Sequence, residues 1–201
     1  MALLALTLIA YLIGSVSFAV IVSRVLSLPD PRSYGSGNPG ATNVLRTGRK
    51  SAAALTLLGD IAKGWFAVFL ASNFADSGAI AVTEAAAATG VVVGHAYPVF
   101  HRFQGGKGVA TVLGVLIGLN VYLAIGTAAT WGIIAFFFRI SSMAALVSAV
   151  FAPMFCCLLY GVHPFTAAVT VIALLVIYRH KTNIRNLIAG TEARIGGSRN
   201  S

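Results

Sequence analysis

The sequence predicts an all-α polytopic integral membrane protein with seven transmembrane helices, some of them short. Three observations predict it. The chain is 58% hydrophobic and only 9% charged. Its mean hydropathy is +0.88. Its Lys and Arg fall between long apolar stretches, with Lys63 as the exception. A soluble domain carries about 25% charged residues, so too few charges remain here to cover a water-facing surface. The excess apolar surface is expected to face lipid. With 201 residues, the chain reads as a single membrane-embedded domain, 1–201.

The apolar stretches follow in order. Ala2–Ser23, Ser51–Asn73 and Ala79–Tyr97 each have the length of one spanning helix, which takes about 20 residues. Val109–Phe138 is longer and contains Gly118-Leu119-Asn120; Met143–Tyr178 is longer still and contains Tyr160-Gly161-Val162-His163-Pro164. Glycine, asparagine and proline interrupt helices, so each long region reads as a hairpin of two helices. The fourth and fifth spans would then have about 14–15 residues each, or about 22 Å at the α-helical rise, and would need local thinning of the bilayer or burial in the bundle. Five spans, with both long regions crossing once, is the alternative.

Charge separates the two. Arg24, Arg32, Arg46, Arg49 and Lys50 belong to the first loop, Arg102 and Lys107 to the loop after the third span, and Arg139 follows the fourth region. Arg179, Lys181, Arg185, Arg194 and Arg199 lie in the tail. The other turns hold Asp76 and Glu84 but no Lys or Arg. With seven spans every loop cation falls on one side; with five, Arg139 does not. The positive-inside rule then places the N-terminus outside and the C-terminus in the cytoplasm. The net charge of +9 reads as topology plus a cytoplasmic anion site. It is split among juxtamembrane loops, which argues against nucleic acid as a partner. The N-terminus lacks the basic start and small-residue cleavage site of a signal peptide. Cys156 and Cys157 are adjacent and mid-span and are expected to fill apolar space.

The polar segments carry the chemistry. In the first loop, Gly35, Gly37 and Gly40 match G-x-G-x-x-G. A dinucleotide site needs a preceding strand, and this motif follows a membrane helix. Asn38 is placed to cap, and Pro39 to open, a short helix. With Thr42, Asn43 and Arg46 nearby, that helix end would suit a phosphate; a flexible capped loop is the plainer reading. The second segment, His95 to Thr111, contains Gly105-Gly106-Lys107-Gly108 where the fourth span begins. It is not a Walker A loop, since glycine follows the lysine, yet it joins mobile backbone, a cation and a helix N-terminus. His95 reads as a polar anchor at a helix end. Ser141 or Ser142, after Arg139, is placed to cap the next helix. If the last span continues through His180, that residue and Asn183 share a face. Asp60 and Lys63 lie about 12 Å into the second span, where charges are costly and usually paired; a structural pair and a substrate role are both open.

These residues carry a resemblance. Gly35 to Arg46, then Gly94-His95 through Pro98, Phe100, Phe103 and Gly105 to Thr111, then Asn183-Ile184-Arg185-Asn186-Leu187 with Gly190 and Glu192 resemble three motifs of one family. It is the bacterial PlsY family, membrane glycerol-3-phosphate acyltransferases that use acyl phosphate. Arg139 with Ser142, and Asp60 with Lys63, also fit, while Ala144 and Ala145 stand where relatives often have another serine. The resemblance covers essentially the whole chain. It implies a multi-pass protein of the bacterial inner membrane with its active site at the cytoplasmic face. The partners it implies are acyl phosphate, glycerol 3-phosphate and membrane lipids; no cofactor is expected, and the absence of a carboxylate cluster predicts no divalent metal.

It also implies roles. Lys107 and Arg46 would neutralise the phosphates. Ser36, Thr42, Asn43 and the amides around Gly35, Gly37, Asn38, Gly40, Gly105, Gly106 and Gly108 would complete the cradle. His180 and Asn183 would orient glycerol 3-phosphate, with His95, Ser142 and Glu192 as further substrate-binding residues. The base is either His180 or, preferably, an oxygen of a substrate phosphate. The H-x-x-x-x-D motif of soluble-type acyltransferases is absent: Phe100, Gly106, Ala168 and Arg185 stand where the acid would follow each histidine. A transporter for a phosphorylated anion is the second reading, although it would place polar residues near the midplane and often show repeats. A CDP-alcohol phosphotransferase needs an aspartate cluster that five scattered acidic residues cannot supply.

Overall fold

Every regular element among the described residues, 1–195 of a computed structural model, is helical. Arg199 of the basic tail lies outside them. The expected first span is two helices: α1 (Ala2–Gly14) stops and α2 (Phe18–Val25) restarts after Ser15–Ser17. The single helix expected over Ala2–Ser23 is thus corrected. The break leaves backbone carbonyls without helical partners, which is costly in lipid. Lys63 supplies the missing donor: its Nζ donates to Gly14 O at 3.1 Å and to Val16 O at 2.7 Å.

The first loop holds a single turn, α3 (Ala41–Val44), continued by a 3-10 turn over Leu45–Thr47. Helices α4 (Lys50–Phe74) and α5 (Ile80–Ala96) are long and unbroken, as their stretches predict. Gly108 precedes α6 (Val109–Leu119), and Asn120 divides it from α7 (Val121–Phe138). The Asn120 side chain caps α7, accepting from the N–H groups of Tyr122 and Leu123 at 2.8 and 3.2 Å. Helix α8 (Ser141–Tyr160) ends at Gly161; α9 (Pro164–Arg179) starts with His163 as cap and Pro164 at its first position. After His180, α10 (Lys181–Ile188) leaves α9 at 59°.

Both long apolar regions therefore break where glycine, asparagine and proline predict. The arms of the first are unequal, with 11 residues in α6 and 18 in α7, not the equal halves expected. At the helical rise that is about 16 Å against about 27 Å, so α6 is about 10 Å shorter than α7. Five helical stretches are long and apolar enough to cross a membrane. Helices α9 and α10 reach that measure only together, and α6 is shorter.

Packing follows a membrane pattern. The lipid-facing surface carries the large residues, among them Leu4, Leu8, Leu58, Phe136 and Leu158. The buried positions are mostly Ala, Val and Gly, which let helices approach closely. α1 crosses α5, and a methyl at Gly14 or Gly94 would overlap the backbone of Val91 or Tyr11. Gly64 and Gly114 serve the α4–α6 crossing in the same way. Asn120 Nδ2 donates to Tyr160 Oη at 2.8 Å, so the α6–α7 break and the α8–α9 turn meet at one end. The first loop, the glycine loop and the α9–α10 bend line one cavity at the other.

Candidate active site

The cavity has a volume of about 1160 Å³. Its mouth is polar and its inner arm is lined by α6 to α9, with Leu113, Trp131, Ala149, Ala152, Val169 and Ile172 on its walls.

The first loop shapes one side of the mouth. Asn43 is buried and holds the loop together. Its Nδ2 donates to Pro31 O at 2.7 Å and to Tyr34 O at 3.2 Å, and its Oδ1 accepts from the Ser36 N–H at 3.0 Å. Gly35 turns at φ 60°, where a side chain would collide with the Asn43 amide. Because Asn43 pulls the chain in, α3 starts after Gly40 rather than at Asn38, which corrects the expected cap and first-turn proline. Asn43 thus braces the cradle, while Gly35, Ser36, Gly37, Asn38, Gly40, Thr42 and Arg46 line the cavity around it.

The glycine loop forms the opposite wall. Gly108, at φ 87°, ends it immediately before α6. Lys107 lines the cavity, half-buried, and makes no hydrogen bond among the described residues. Burial holds its ammonium below the ordinary lysine pKa; Glu192 opposes that shift, and Arg179 and Arg46 add to it. Gly105 and Gly108 also line the cavity. Gly106 does not: it is buried against the His95 ring, which occupies the place a Gly106 side chain would take. His95 lines the cavity and, as expected, sits in the last turn of α5. It is buried, with Nδ1 3.2 Å from Thr111 Oγ1 and 3.7 Å from Asp60 Oδ1. Asp60 pairs with Lys63 at 2.9 Å. Lys63 serves the α1–α2 break as well, while Asp60 lines the cavity beside His95, so the pair joins the scaffold to the cavity wall.

The tail closes the mouth. α9 does not run straight through His180, so His180 and Asn183 meet at the cavity through a bend rather than along one helix face. His180 Nδ1 lies 2.7 Å from Val176 O, which makes Nδ1 the donor and leaves Nε2 as an acceptor. Burial pulls its pKa down to about 4, so the ring is neutral near pH 7. Ser142 does not cap α8; its hydroxyl donates to Glu192 Oε1 at 2.7 Å, and Asn183 Nδ2 donates to the same oxygen at 2.6 Å. Glu192 thus ties the tail to α8 and orients Asn183, whose buried Oδ1 has no partner among the described residues. Arg179 is the residue that sequence reasoning missed, having counted only as a topological charge. It donates to Gly105 O at 2.7 Å and to Gly106 O at 3.2 Å and lies 5.1 Å above the Tyr97 ring.

Arg46, Lys107, Arg179 and Arg194 thus line one cavity with His180, Asn183 and the two glycine-rich loops, at the mouth of an apolar arm. Comparison with known proteins agrees with this geometry. The profile of the glycerol-3-phosphate acyltransferase family matches residues 4–190. The chain belongs to that family. A glycerol-3-phosphate acyltransferase of Cupriavidus necator is 59% identical over 98% of both chains. The crystal structure of PlsY, an integral membrane glycerol 3-phosphate acyltransferase in its glycerol 3-phosphate form, superposes with a TM-score of 0.91 at 35% identity, covering 98% of this chain and 96% of that one. The lysophosphatidic acid form of PlsY gives 0.88 at 34% identity, with the same coverage. The integral membrane character expected from composition is thus matched in the family. Among the described residues no group of three His, Cys, Asp or Glu side chains is placed to hold a metal.

Proposed function

We propose that the protein transfers an acyl group from acyl phosphate to the sn-1 hydroxyl of glycerol 3-phosphate, giving 1-acylglycerol 3-phosphate and phosphate. One observation carries this reading: Lys107 and Arg46, whose side chains make no hydrogen bond among the described residues, line with Arg179 and Arg194 the polar mouth of a cavity whose inner arm is apolar. The mouth suits two phosphates and the arm suits an acyl chain. Relatives named glycerol-3-phosphate acyltransferase at 59% identity support the acceptor.

Acyl phosphate is already activated, so the step needs positioning and charge stabilisation rather than a covalent intermediate. The acceptor oxygen forms the new ester bond to the acyl carbon. The bond from that carbon to the phosphate oxygen breaks, and phosphate leaves with the electron pair. Lys107 and Arg46 hold the phosphates as charge moves. The hydroxyls of Ser36 and Thr42 and the N–H groups of Gly35, Asn38, Gly105 and Gly108 complete the cradle, while Gly37 and Gly40 shape the loop, their N–H groups donating to Tyr34 O and Asn38 O. His180 Nε2 accepts from a glycerol hydroxyl, and Glu192, held by Ser142, fixes Asn183 beside it in the cavity wall. A substrate phosphate oxygen takes the proton.

The choice of base is visible in the pH profile. With a phosphate oxygen as base, kcat/KM should fall below about pH 6, the second ionisation of a phosphate ester. A neutral His180 acting as base would move that limb down to about 4.

We read the chain as crossing the membrane seven times, α1 and α2 counting as one crossing, with the N-terminus outside and the catalytic mouth in the cytoplasm. The basic loops meeting at one end support this. In a chain with Cys156 and Cys157 changed to alanine, an impermeant thiol reagent added to intact cells should label Val162→Cys and spare Arg139→Cys. Labelling of Arg139→Cys from outside contradicts this topology.

The function itself is tested by purified protein with acyl phosphate and labelled glycerol 3-phosphate in the presence of a chelator. Labelled acylglycerol phosphate and free phosphate should form in equal amounts. The transporter reading predicts uptake of unmodified label into vesicles and no acyl product.

A further inference from the structure

The loop carrying Lys107 is gripped from two sides of the same peptide planes. The Gly106 N–H donates to His95 O at 3.1 Å. The Gly105 carbonyl, on the opposite edge of that planar group, accepts from Arg179 Nη2 at 2.7 Å. The Gly106 carbonyl, part of the next plane, accepts from Arg179 Nε at 3.2 Å. Holding that carbonyl toward Arg179 turns the Lys107 N–H away from it, because the two groups of a trans peptide point in opposite directions. The guanidinium is itself held by the Tyr97 ring, 5.1 Å from its centroid. It is the last residue of α9, so the bend that brings His180 to the cavity starts where the glycine loop is gripped.

Glycines alone leave the loop many conformations. A planar fork that fixes two successive carbonyls removes that freedom, and a lysine ammonium cannot reproduce such a fork. The geometry points to Arg179 as the positioning residue of this site: it aims Lys107 by orienting the Gly105 and Gly106 peptides. This rests on the reading of Lys107 as a phosphate ligand. Misplacing a reacting group by about 1 Å costs about 100-fold in rate, so a loose Lys107 loop shows itself in kcat.

The test is a double-mutant cycle with Lys107 on purified enzyme. Arg179→Ala should lower kcat by about 10- to 100-fold, with KM for glycerol 3-phosphate changed by less than about threefold. Arg179→Lys keeps the charge and should recover little. In a Lys107→Ala background, Arg179→Ala should cost less than about threefold more, since there is no longer a side chain to aim. Equal losses in both backgrounds, or full activity in Arg179→Lys, would overturn the inference. If Lys107→Ala alone keeps its activity, the phosphate-ligand reading fails, and this inference with it. Unfolding temperature in detergent is followed for every variant. If Arg179→Ala is not recovered folded, Arg179→Lys decides: lost kcat at an unchanged unfolding temperature supports the positioning role, and retained kcat contradicts it.

Discussion

Lys107→Ala and Lys107→Arg are each expected to lower kcat by at least about 10²–10³, the usual cost of removing one preorganised charge contact, while expression and unfolding temperature hardly change. The loss in Lys107→Arg is the informative one, because charge is kept. Lys107 stands between Gly106, which packs on the His95 ring, and Gly108, whose φ of 87° opens α6. A compact ammonium fits the cavity wall between them. A longer planar guanidinium presents its donors in a different place. Lys107 makes no hydrogen bond among the described residues, so its removal strands no buried partner, and a stability loss is not expected. Arg102 supplies the control. It is exposed, in a left-handed conformation at φ 52°, and Arg102→Asn suits that conformation. It should keep near-normal activity. Equal and mild effects at both positions would show that Lys107 only anchors the loop to lipid headgroups.

Lys63→Met is expected to act the other way, through the fold. It removes the donor that satisfies the Gly14 and Val16 carbonyls at the α1–α2 break, and it leaves Asp60 buried without its 2.9 Å partner. Breaking a buried ion pair costs about 3–5 kcal/mol. The expected result is a lower unfolding temperature in detergent and poor recovery from the membrane. Asp60→Leu combined with Lys63→Met should be less damaging than Lys63→Met alone, because no unpaired charge remains. It should still fall short of the wild type, because the two carbonyls stay unpaired. An unchanged unfolding temperature with lost activity in Lys63→Met would move this pair from the scaffold to the chemistry.

What could be read from the sequence follows the range of the forces involved. The helices around Asn120 and Gly161 were legible because cap and breaker residues act within a few positions of themselves. The break at Ser15–Ser17 was not. Gly14-Ser15-Val16-Ser17 is only a mild breaker inside a mainly apolar stretch, and what makes the break tolerable is a lysine on α4, far along the chain. The same holds for the first loop. Asn38-Pro39 is a sound local start for a helix, yet Asn43 reaches back to Pro31 and Tyr34 and moves the start to Gly40.

The candidate site shows the same division. The motifs brought Ser36, Arg46, Lys107, His180 and Asn183 to one cavity. Their division of labour was hidden in long-range contacts. Asn43 and Glu192 spend their polar atoms on other protein groups, and Arg179 reaches carbonyls on a loop between α5 and α6. Nothing in a helix-terminal arginine distinguishes such a brace from a topological charge until its acceptors are seen.

The most direct measurement is donor choice. Purified protein is given glycerol 3-phosphate with acyl phosphate, acyl-CoA or acyl carrier protein carrying the same chain, in a chelating buffer, and acylglycerol phosphate is quantified. A site that relies on cations and a glycine cradle, without the H-x-x-x-x-D motif of soluble-type acyltransferases, should turn over acyl phosphate and leave both thioesters essentially untouched. Comparable turnover with acyl-CoA, or loss of acyl phosphate turnover in the chelator, would contradict it.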